Sequence, residues 1–134
     1  MPLTYKVSTD GSFVYAVAVG HLRPEEVLDY EKAISADGRV KPGFRELVNV
    51  SGITQASITP DDFRKIRDSM KANDKRTPKN RLAIAVSKDS SFKNARYFEQ
   101  LVDPHLTVIV FNSVQTAFIW LGVTEKDLQE MTAD

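Results

Sequence analysis

The stretch FRELVNVSGITQASITPDDF, residues 44–63, decides the fold. It opens with an apolar run typical of a buried strand and continues through a loop rich in hydroxyl side chains. It ends in Thr59, Pro60 and Asp62, which are residues typical of a helix start. A strand that leads directly into a helix places the helix N-terminus beside the carboxyl end of the strand. The stretch therefore predicts a β-α unit and locates the sheet edge at which a ligand or partner is expected.

Four further runs predict the other strands. Residues 4–8 alternate polar and apolar side chains, and the Asp10-Gly11 pair that follows tolerates positive φ in a two-residue hairpin turn. The first two strands are therefore expected to be antiparallel neighbours. Residues 13–19, 82–86 and 107–111 are apolar runs typical of interior strands covered on both faces, so helices must pack on the sheet.

Helices are predicted from caps and from the spacing of apolar residues. Pro24 lies at a first helical position, and the apolar residues that follow on one face are interrupted by Glu31. Either Ser90 or Ser91 is expected to cap a helix that ends at residues 103–104.

The last main helix is predicted to begin after Ser113 and to end at Gly122 in the left-handed conformation, with residues 124–127 starting a short terminal turn. The order β-β-α-β-α-β-α-β-α predicts a single α/β domain over residues 1–134. Because β-α-β units make right-handed crossovers between parallel strands, we expect a mixed, mainly parallel five-stranded sheet whose first strand is antiparallel.

Composition excludes several classes of function. The chain has 134 residues, 42% of them hydrophobic, with 18 basic and 18 acidic side chains and no cysteine. Thiolate chemistry, disulfides and a global positive field for nucleic acid are therefore excluded. Residues 1–20 lack the apolar core of a signal peptide, and no segment approaches the length of a membrane-spanning run. We expect a cytoplasmic protein with no nucleic-acid partner and no membrane insertion.

Hydroxyl side chains crowd the predicted carboxyl edge of the sheet, where three helix N-termini are expected to converge. Such N-termini offer free N–H groups and positive dipole ends, so they favour a small anion or a phosphorylated group. Serine and threonine at these positions also serve as helix caps, and capping alone is the favoured explanation. The candidate binding residues at this edge are Ser57, Thr59, Ser87, Lys88, Ser90 and Ser113.

Enzymatic motifs are absent from the sequence. It contains no G-x-S-x-G, G-x-x-x-x-G-K-[ST], G-x-G-x-x-G or H-E-x-x-H. His21 and His105 are interpreted as turn or edge residues rather than metal ligands. We therefore expect no catalytic residue, no metal and no cofactor, and a protein that is not an enzyme.

A basic segment follows the second long helix. It offers a docking face for an acidic partner, but because it lacks interleaved aromatic residues we interpret it as a solvated connector. The basic residues of this segment are Lys71, Lys75, Arg76, Lys79 and Arg81.

Three residues on later helices are candidates for partner binding. Arg96 and Tyr97 are predicted to lie on a helix flank, where Arg96 can reach a nearby carboxylate and Tyr97 is half-buried. Trp120 lies off the core stripe, where an exposed indole would mark a homodimer or partner patch. The alternative is that Trp120 packs against the C-terminal turn.

The strand LVNVSGIT with its capped helix, and the helix containing NARYFE, resemble the STAS or SpoIIAA-like superfamily, in its stand-alone bacterial STAS/SEC14-like branch. The resemblance covers about residues 4–121 and implies the fold and a role in binding or regulation. Members that are anti-sigma-factor antagonists are switched by phosphorylation within an Asp-Ser-Ser-Gly motif. Here Ser57, Ile58, Thr59 and Pro60 fall on that motif, so the phosphoacceptor position holds isoleucine.

Four functional hypotheses follow, and the one ranked last is a hydrolase or transferase with a non-standard site, for which the sequence offers no convergent acid, base and nucleophile. The first is a non-enzymatic binding or regulatory module of the bacterial cytoplasm that recognises a protein partner through its capped-helix face. The alternative is a carrier of a small acidic or apolar ligand, because related lipid-carrier folds share a similar element order. A phospho-switched anti-sigma-factor antagonist is less favoured, since Asp61 and Asp62 would oppose a phosphate at that helix start.

Overall fold

The protein consists of a five-stranded β-sheet with helices packed on both faces. The computed structural model describes residues 3–78, 80–87, 89–102 and 106–132. In chain order the elements are β1 (Leu3–Val7), β2 (Phe13–Leu22), α1 (Pro24–Ala36), β3 (Arg45–Ala56), α2 (Pro60–Lys71), β4 (Arg81–Ala85), α3 (Asp89–Val102), β5 (Thr107–Phe111), α4 (Val114–Leu121) and α5 (Glu125–Thr132).

The strands lie in the order β1-β2-β3-β4-β5. β1 is antiparallel to β2, and every other neighbouring pair is parallel, so the predicted fold class is confirmed.

The hairpin turn between β1 and β2 differs from the prediction. Its residues close through a hydrogen bond of 2.9 Å from the Gly11 N–H to the Ser8 carbonyl, and Gly11 alone of the predicted pair has positive φ. The predicted two-residue turn is therefore wrong, because Asp10 keeps negative φ and uses its carboxylate to accept hydrogen bonds from Ser12.

Helices α1, α2 and α3 pack on one face of the sheet, and α4 and α5 pack on the other. Along β4, Leu82 and Ile84 join the apolar cluster with α2 and α3. The intervening Ala83 and Ala85 join the cluster with α4 and α5. When successive right-handed β-α-β crossovers each add the next strand on the same side of the sheet, their helices lie on the same face. Because α4 follows the last strand and makes no crossover, it is free to cover the opposite face.

Helix termini follow the predicted local chemistry at Thr59, Ser113 and Gly122, but not at the start of α3. The Thr59 hydroxyl accepts a hydrogen bond from the Asp62 N–H, and the Asp62 carboxylate accepts one from the Thr59 N–H, which completes a capping box at α2. Ser113 caps α4, and Gly122 ends it with φ of 66°. At α3 the prediction was wrong, because the helix already begins at Asp89 and Ser90 therefore lies within its first turn.

The C-terminal region forms more structure than the short turn that was predicted. α5 is an eight-residue helix, and the Thr124 hydroxyl accepts a hydrogen bond of 3.1 Å from the Asp127 N–H at its start. Met131 is buried against the apolar cluster of α4. The predicted end of α3 at residues 103–104 lies outside the described residues.

Candidate functional site

An apolar cavity lies between the sheet and helices α1, α2 and α3. Its volume is about 130 Å³. The wall consists almost entirely of aliphatic and aromatic side chains from strands β1 to β4, from the three helices and from the loop before α2. Six representative lining residues are Val48, Val50, Ile66, Leu82, Ile84 and Phe98. Because the wall is apolar and the volume exceeds that of a water molecule, the cavity is suited to an apolar occupant.

The cavity follows β3 from a charged inner end to an open rim. Glu46, at the start of β3, lines the inner end, whereas Ala56 lines the cavity at the end of the same strand. Ala56 and Asn94 are exposed, and Ile58 and Phe63 are half-buried. The accessible end therefore coincides with the carboxyl ends of the parallel strands, where α/β domains bind ligands.

A buried ionic cluster closes the inner end of the cavity. Arg76 pairs with Glu31 at 2.6 Å between Nη2 and Oε1, and with Glu46 at 2.7 Å between Nη1 and Oε1. Its Nε donates to Glu31 at 2.9 Å, its Nη2 donates also to Glu46 at 3.2 Å, and its Nη1 donates also to the Asn80 side-chain oxygen at 3.0 Å. All five N–H groups of the guanidinium are therefore engaged.

The surrounding polar groups complete the cluster. The Tyr30 hydroxyl donates to Glu46, and the Asn73 amide donates to Glu31 at 2.8 Å. Burial raises the pKa of Tyr30 well above its ordinary value, and the neighbouring Glu46 raises it further, so the phenol stays neutral and donates. Burial alone would lower the pKa of Arg76, but the charges of Glu46 and Glu31 outweigh it and raise that pKa, so the arginine stays charged.

The basic segment after α2 is not a solvated connector, and that prediction was wrong. Arg76 is buried in the cluster, and the Lys75 ammonium donates to the carbonyls of Ile34, in the last turn of α1, and of its C-cap residue Asp37. The Arg81 guanidinium donates to the carbonyls at the end of α4, and its charge lies over the Trp120 ring at 5.5 Å. Lys71 is exposed and Lys79 lies outside the described residues. Lys75 and Arg81 thus bind carbonyls at helix C-termini, and Arg76 binds carboxylates, in each case distant in sequence. A run of basic residues in the sequence does not reveal such partners.

The predicted rim residues are mostly engaged in local contacts. Thr59 and Ser113 cap helices, as described above, and the Ser87 hydroxyl donates to the Ser51 carbonyl at 2.9 Å. The Ser57 hydroxyl lies 2.6 Å from Nε2 of His21, a contact that the sequence did not predict. Lys88 lies outside the described residues, as does the side chain of Ser90, so four of the six rim candidates are placed.

The two candidates on α3 lie beside the cavity. Nη1 of Arg96 pairs with Oε1 of Glu99 at 2.9 Å on the exposed flank of the helix. Tyr97 is 38% exposed, and its ring packs on Phe63 with centroids 5.8 Å apart. Because Phe63 itself lines the cavity, Tyr97 forms an outer layer over the rim.

Trp120 is half-buried and does not form an exposed patch. Its ring contacts Phe111 with centroids 5.6 Å apart, in addition to its contact with Arg81. The exposed apolar residue of α4 is instead Ile119, which is 78% exposed. Of the two alternatives weighed for Trp120, packing is closer to the structure, although its partners are β5 and Arg81.

Within residues 3–78, 80–87, 89–102 and 106–132, no group of three histidine, cysteine, aspartate or glutamate side chains is placed to hold a metal ion. Among the helices of that part of the chain, none combines the length and the apolar character needed to cross a bilayer. His105 lies outside the described residues.

Sequence comparison finds no relative. No profile of a known protein family matches the chain, and no curated protein sequence matches it. Its likeness to known proteins is therefore a likeness of structure.

Several solved structures share the arrangement of strands and helices. One is an uncharacterised DUF3478-family protein with a SpoIIAA-like fold from Shewanella loihica PV-4, which is 19% identical with a TM-score of 0.57, over 89% of this chain and 91% of that one. The unphosphorylated anti-sigma factor antagonist SpoIIAA is 10% identical with a TM-score of 0.54, over 91% of this chain and 99% of that one. The phosphorylated form of SpoIIAA, a Bacillus cell fate determinant, is 10% identical with a TM-score of 0.52, over 89% of this chain and 98% of that one. The predicted resemblance is thus confirmed at the level of architecture, and the chain has a SpoIIAA-like fold.

Proposed function

We propose that the protein is a non-enzymatic binding module that holds a small apolar molecule in the cavity between its sheet and helices α1, α2 and α3. The observation that carries this proposal is the cavity itself, with a volume of about 130 Å³ and an apolar wall. An engineered protein cavity of about 150 Å³ with a similar aliphatic and aromatic lining stays dry and binds benzene. An occupant with about six carbon atoms is therefore of the right size.

The position that carries the phosphoacceptor in anti-sigma-factor antagonists supports this function. Ile58, which the resemblance places there, is half-buried and lines the cavity. One serine position of the motif thus holds part of an apolar wall, and the other holds Thr59, whose hydroxyl caps α2. We therefore rank ligand binding above a phosphorylation switch, while the SpoIIAA-like fold fits a regulatory or binding module in general.

An NMR titration with benzene tests the proposal. We expect saturable shifts of the backbone amides of Ile58, Phe63 and Ala95, which line the cavity. Ala95→Leu adds three carbon atoms to the wall and should abolish these shifts. Ala33→Leu, at an exposed position of α1, is the matched control and should leave them intact. The absence of saturable shifts in the wild-type protein would overturn the proposal.

Recognition of a protein partner is the second candidate. It is supported by the exposed Tyr97, which packs on Phe63 of the capped helix α2, and by the structural likeness to an anti-sigma factor antagonist. A photo-crosslinking residue in place of Tyr97 should capture a discrete partner from the cytoplasm of the host. The same residue in place of the exposed Gln129 of α5 is the control, and equal capture at both positions would contradict this candidate.

A further inference from the structure

We infer that the cavity admits its occupant hydrocarbon end first and rejects a carboxylate at its inner end. The ligand class is then a small molecule with one uncharged apolar end, whose polar group, where it has one, stays at the rim. This inference rests on the proposed function and adds to it the orientation and the charge selectivity of binding.

Arg76 lines the inner end of the cavity, but its guanidinium is fully engaged. An arginine beside an apolar cavity is ordinarily a strong anchor for a carboxylate, because its planar fork donates two parallel hydrogen bonds. Here every N–H of the guanidinium already donates to Glu31, Glu46 or Asn80. A ligand carboxylate would have to break existing charge-assisted hydrogen bonds before it could form new ones.

The buried ionic cluster carries a formal negative charge. Two carboxyl groups face one guanidinium, which gives a formal charge of −1, and the side chains of all three are at most 4% exposed. The Tyr30 hydroxyl already donates to Glu46, so it does not offset a further negative charge. A third carboxylate at this depth would be repelled by Glu31 and Glu46 in a medium of low dielectric constant, and it would lose its hydration.

The two ends of the cavity differ in their access to water. At the rim Ala56 and Asn94 are exposed, so a polar group held there keeps contact with water. The hydroxyls of Ser57 and Thr59 flank Ile58 at the same end, and both residues are exposed. A polar group is therefore tolerated at the rim and excluded at the inner end, which orients an amphiphile with its tail inward.

A pair of ligands of equal chain length tests the inference. Hexanoate can enter with its methyl end, whereas hexanedioate must place a carboxylate inward whichever way it enters. In NMR titrations we expect hexanoate to shift the amides of Tyr30 and Leu82, and hexanedioate to bind at least tenfold more weakly. Equal affinity for the two acids, with shifts at the inner end, would overturn the inference and leave the proposed function standing. If benzene gives no saturable shifts in the wild-type protein, the proposed function is overturned and the inference with it.

Charge-neutral variants test the cause of the selectivity. Glu46→Gln keeps the shape of the side chain and removes one negative charge, so it should reduce the preference for hexanoate over hexanedioate at least threefold. We expect the same reduction for Glu31→Gln, which replaces Glu46→Gln in the experiment if that variant does not fold. Glu25→Gln, at an exposed position of α1, is the matched control and should keep the wild-type preference. A folded Glu46→Gln or Glu31→Gln protein that retains the wild-type preference would overturn the inference.

Discussion

Arg76 and Glu46 form an ion pair in the interior of the protein, with 2.7 Å between Nη1 and Oε1 and with each side chain 1% exposed. Arg76 belongs to the segment after α2, whereas Glu46 lies in β3, so the pair fixes that segment to the sheet. Glu31 extends the connection to α1. Three segments distant in sequence are thus held together by one cation, and the guanidinium also lies 5.1 Å from the centre of the Phe44 ring.

Removal of Arg76 should strongly destabilise the fold. We expect Arg76→Ala to lower the free energy of unfolding by about 3–5 kcal/mol, because it leaves two buried carboxylates without their cation. Arg64→Ala is the matched control, since Arg64 pairs with Asp61 on the exposed surface of α2 and its removal should have little effect on stability. Urea denaturation measures both changes. A loss below about 1 kcal/mol in Arg76→Ala would show that the cluster relaxes without its arginine.

The capping role of Thr59 can be separated from a ligand-binding role. Thr59→Ala should lower the free energy of unfolding by about 1 kcal/mol, because the Asp62 N–H loses its acceptor. Thr59→Ser keeps that acceptor and should retain most of the stability. Thr54→Ala, at an exposed position of β3, is the control and should have little effect. If Thr59→Ser and Thr59→Ala were equally destabilised in thermal denaturation, the hydroxyl would not be the source of the effect.

Asp37 should contribute to the acid sensitivity of the protein. Hydrogen bonds from the side chain and backbone of Arg39, and one from the Tyr5 hydroxyl, hold the pKa of the Asp37 carboxyl below its ordinary range. A carboxyl whose pKa is lower in the folded state stabilises the fold above its unfolded pKa of about 3.9, and this stabilisation is lost as the pH falls through the folded value.

Comparison of Asp37→Asn with the wild type over pH checks this expectation. The difference in free energy of unfolding should be largest above about pH 5 and should shrink steadily toward about pH 2, because protonation removes the same charge in the wild type. Asp29→Asn, at an exposed position of α1, is the control and should follow the wild-type curve closely. A difference for Asp37→Asn that stays constant down to about pH 2 would contradict a lowered pKa.

The order of elements could be predicted from the sequence because it depends on local patterns. Apolar runs marked the interior strands, and the caps at Thr59 and Ser113 marked helix starts within a few residues. The start of α3 was misplaced because Ser90 and Ser91 are equally good caps in isolation, and the backbone turns helical earlier at Asp89.

The candidate site could not be predicted to the same extent because it depends on contacts between distant segments. The cavity needs three helices and the sheet to leave a gap, and no residue pattern encodes that gap. The ionic cluster joins residues 30 to 45 positions apart. A partial signal was present, since Glu31 interrupts an apolar helix face and Glu46 interrupts an apolar strand, and buried carboxylates require a buried cation. The same reasoning calls for a buried cation, but it does not select Arg76 among the basic residues of the segment after α2.

Gly11 and Gly20 provide a last, matched prediction, because both have positive φ, 74° and 72°, but differ in their surroundings. A Cβ atom at Gly20 would have no neighbour within 4 Å, so Gly20→Ala should lose about 1–2 kcal/mol from backbone strain alone. A Cβ atom at Gly11 would overlap the Arg39 carbonyl oxygen, whose segment is also held by a hydrogen bond of 2.9 Å from the Lys41 N–H to the Gly11 carbonyl. Gly11→Ala should therefore be less stable than Gly20→Ala by about 2 kcal/mol or more in urea denaturation. Equal stability of the two variants would mean that residues 37–41 move aside without loss, so the hairpin would not depend on its contact with the end of α1.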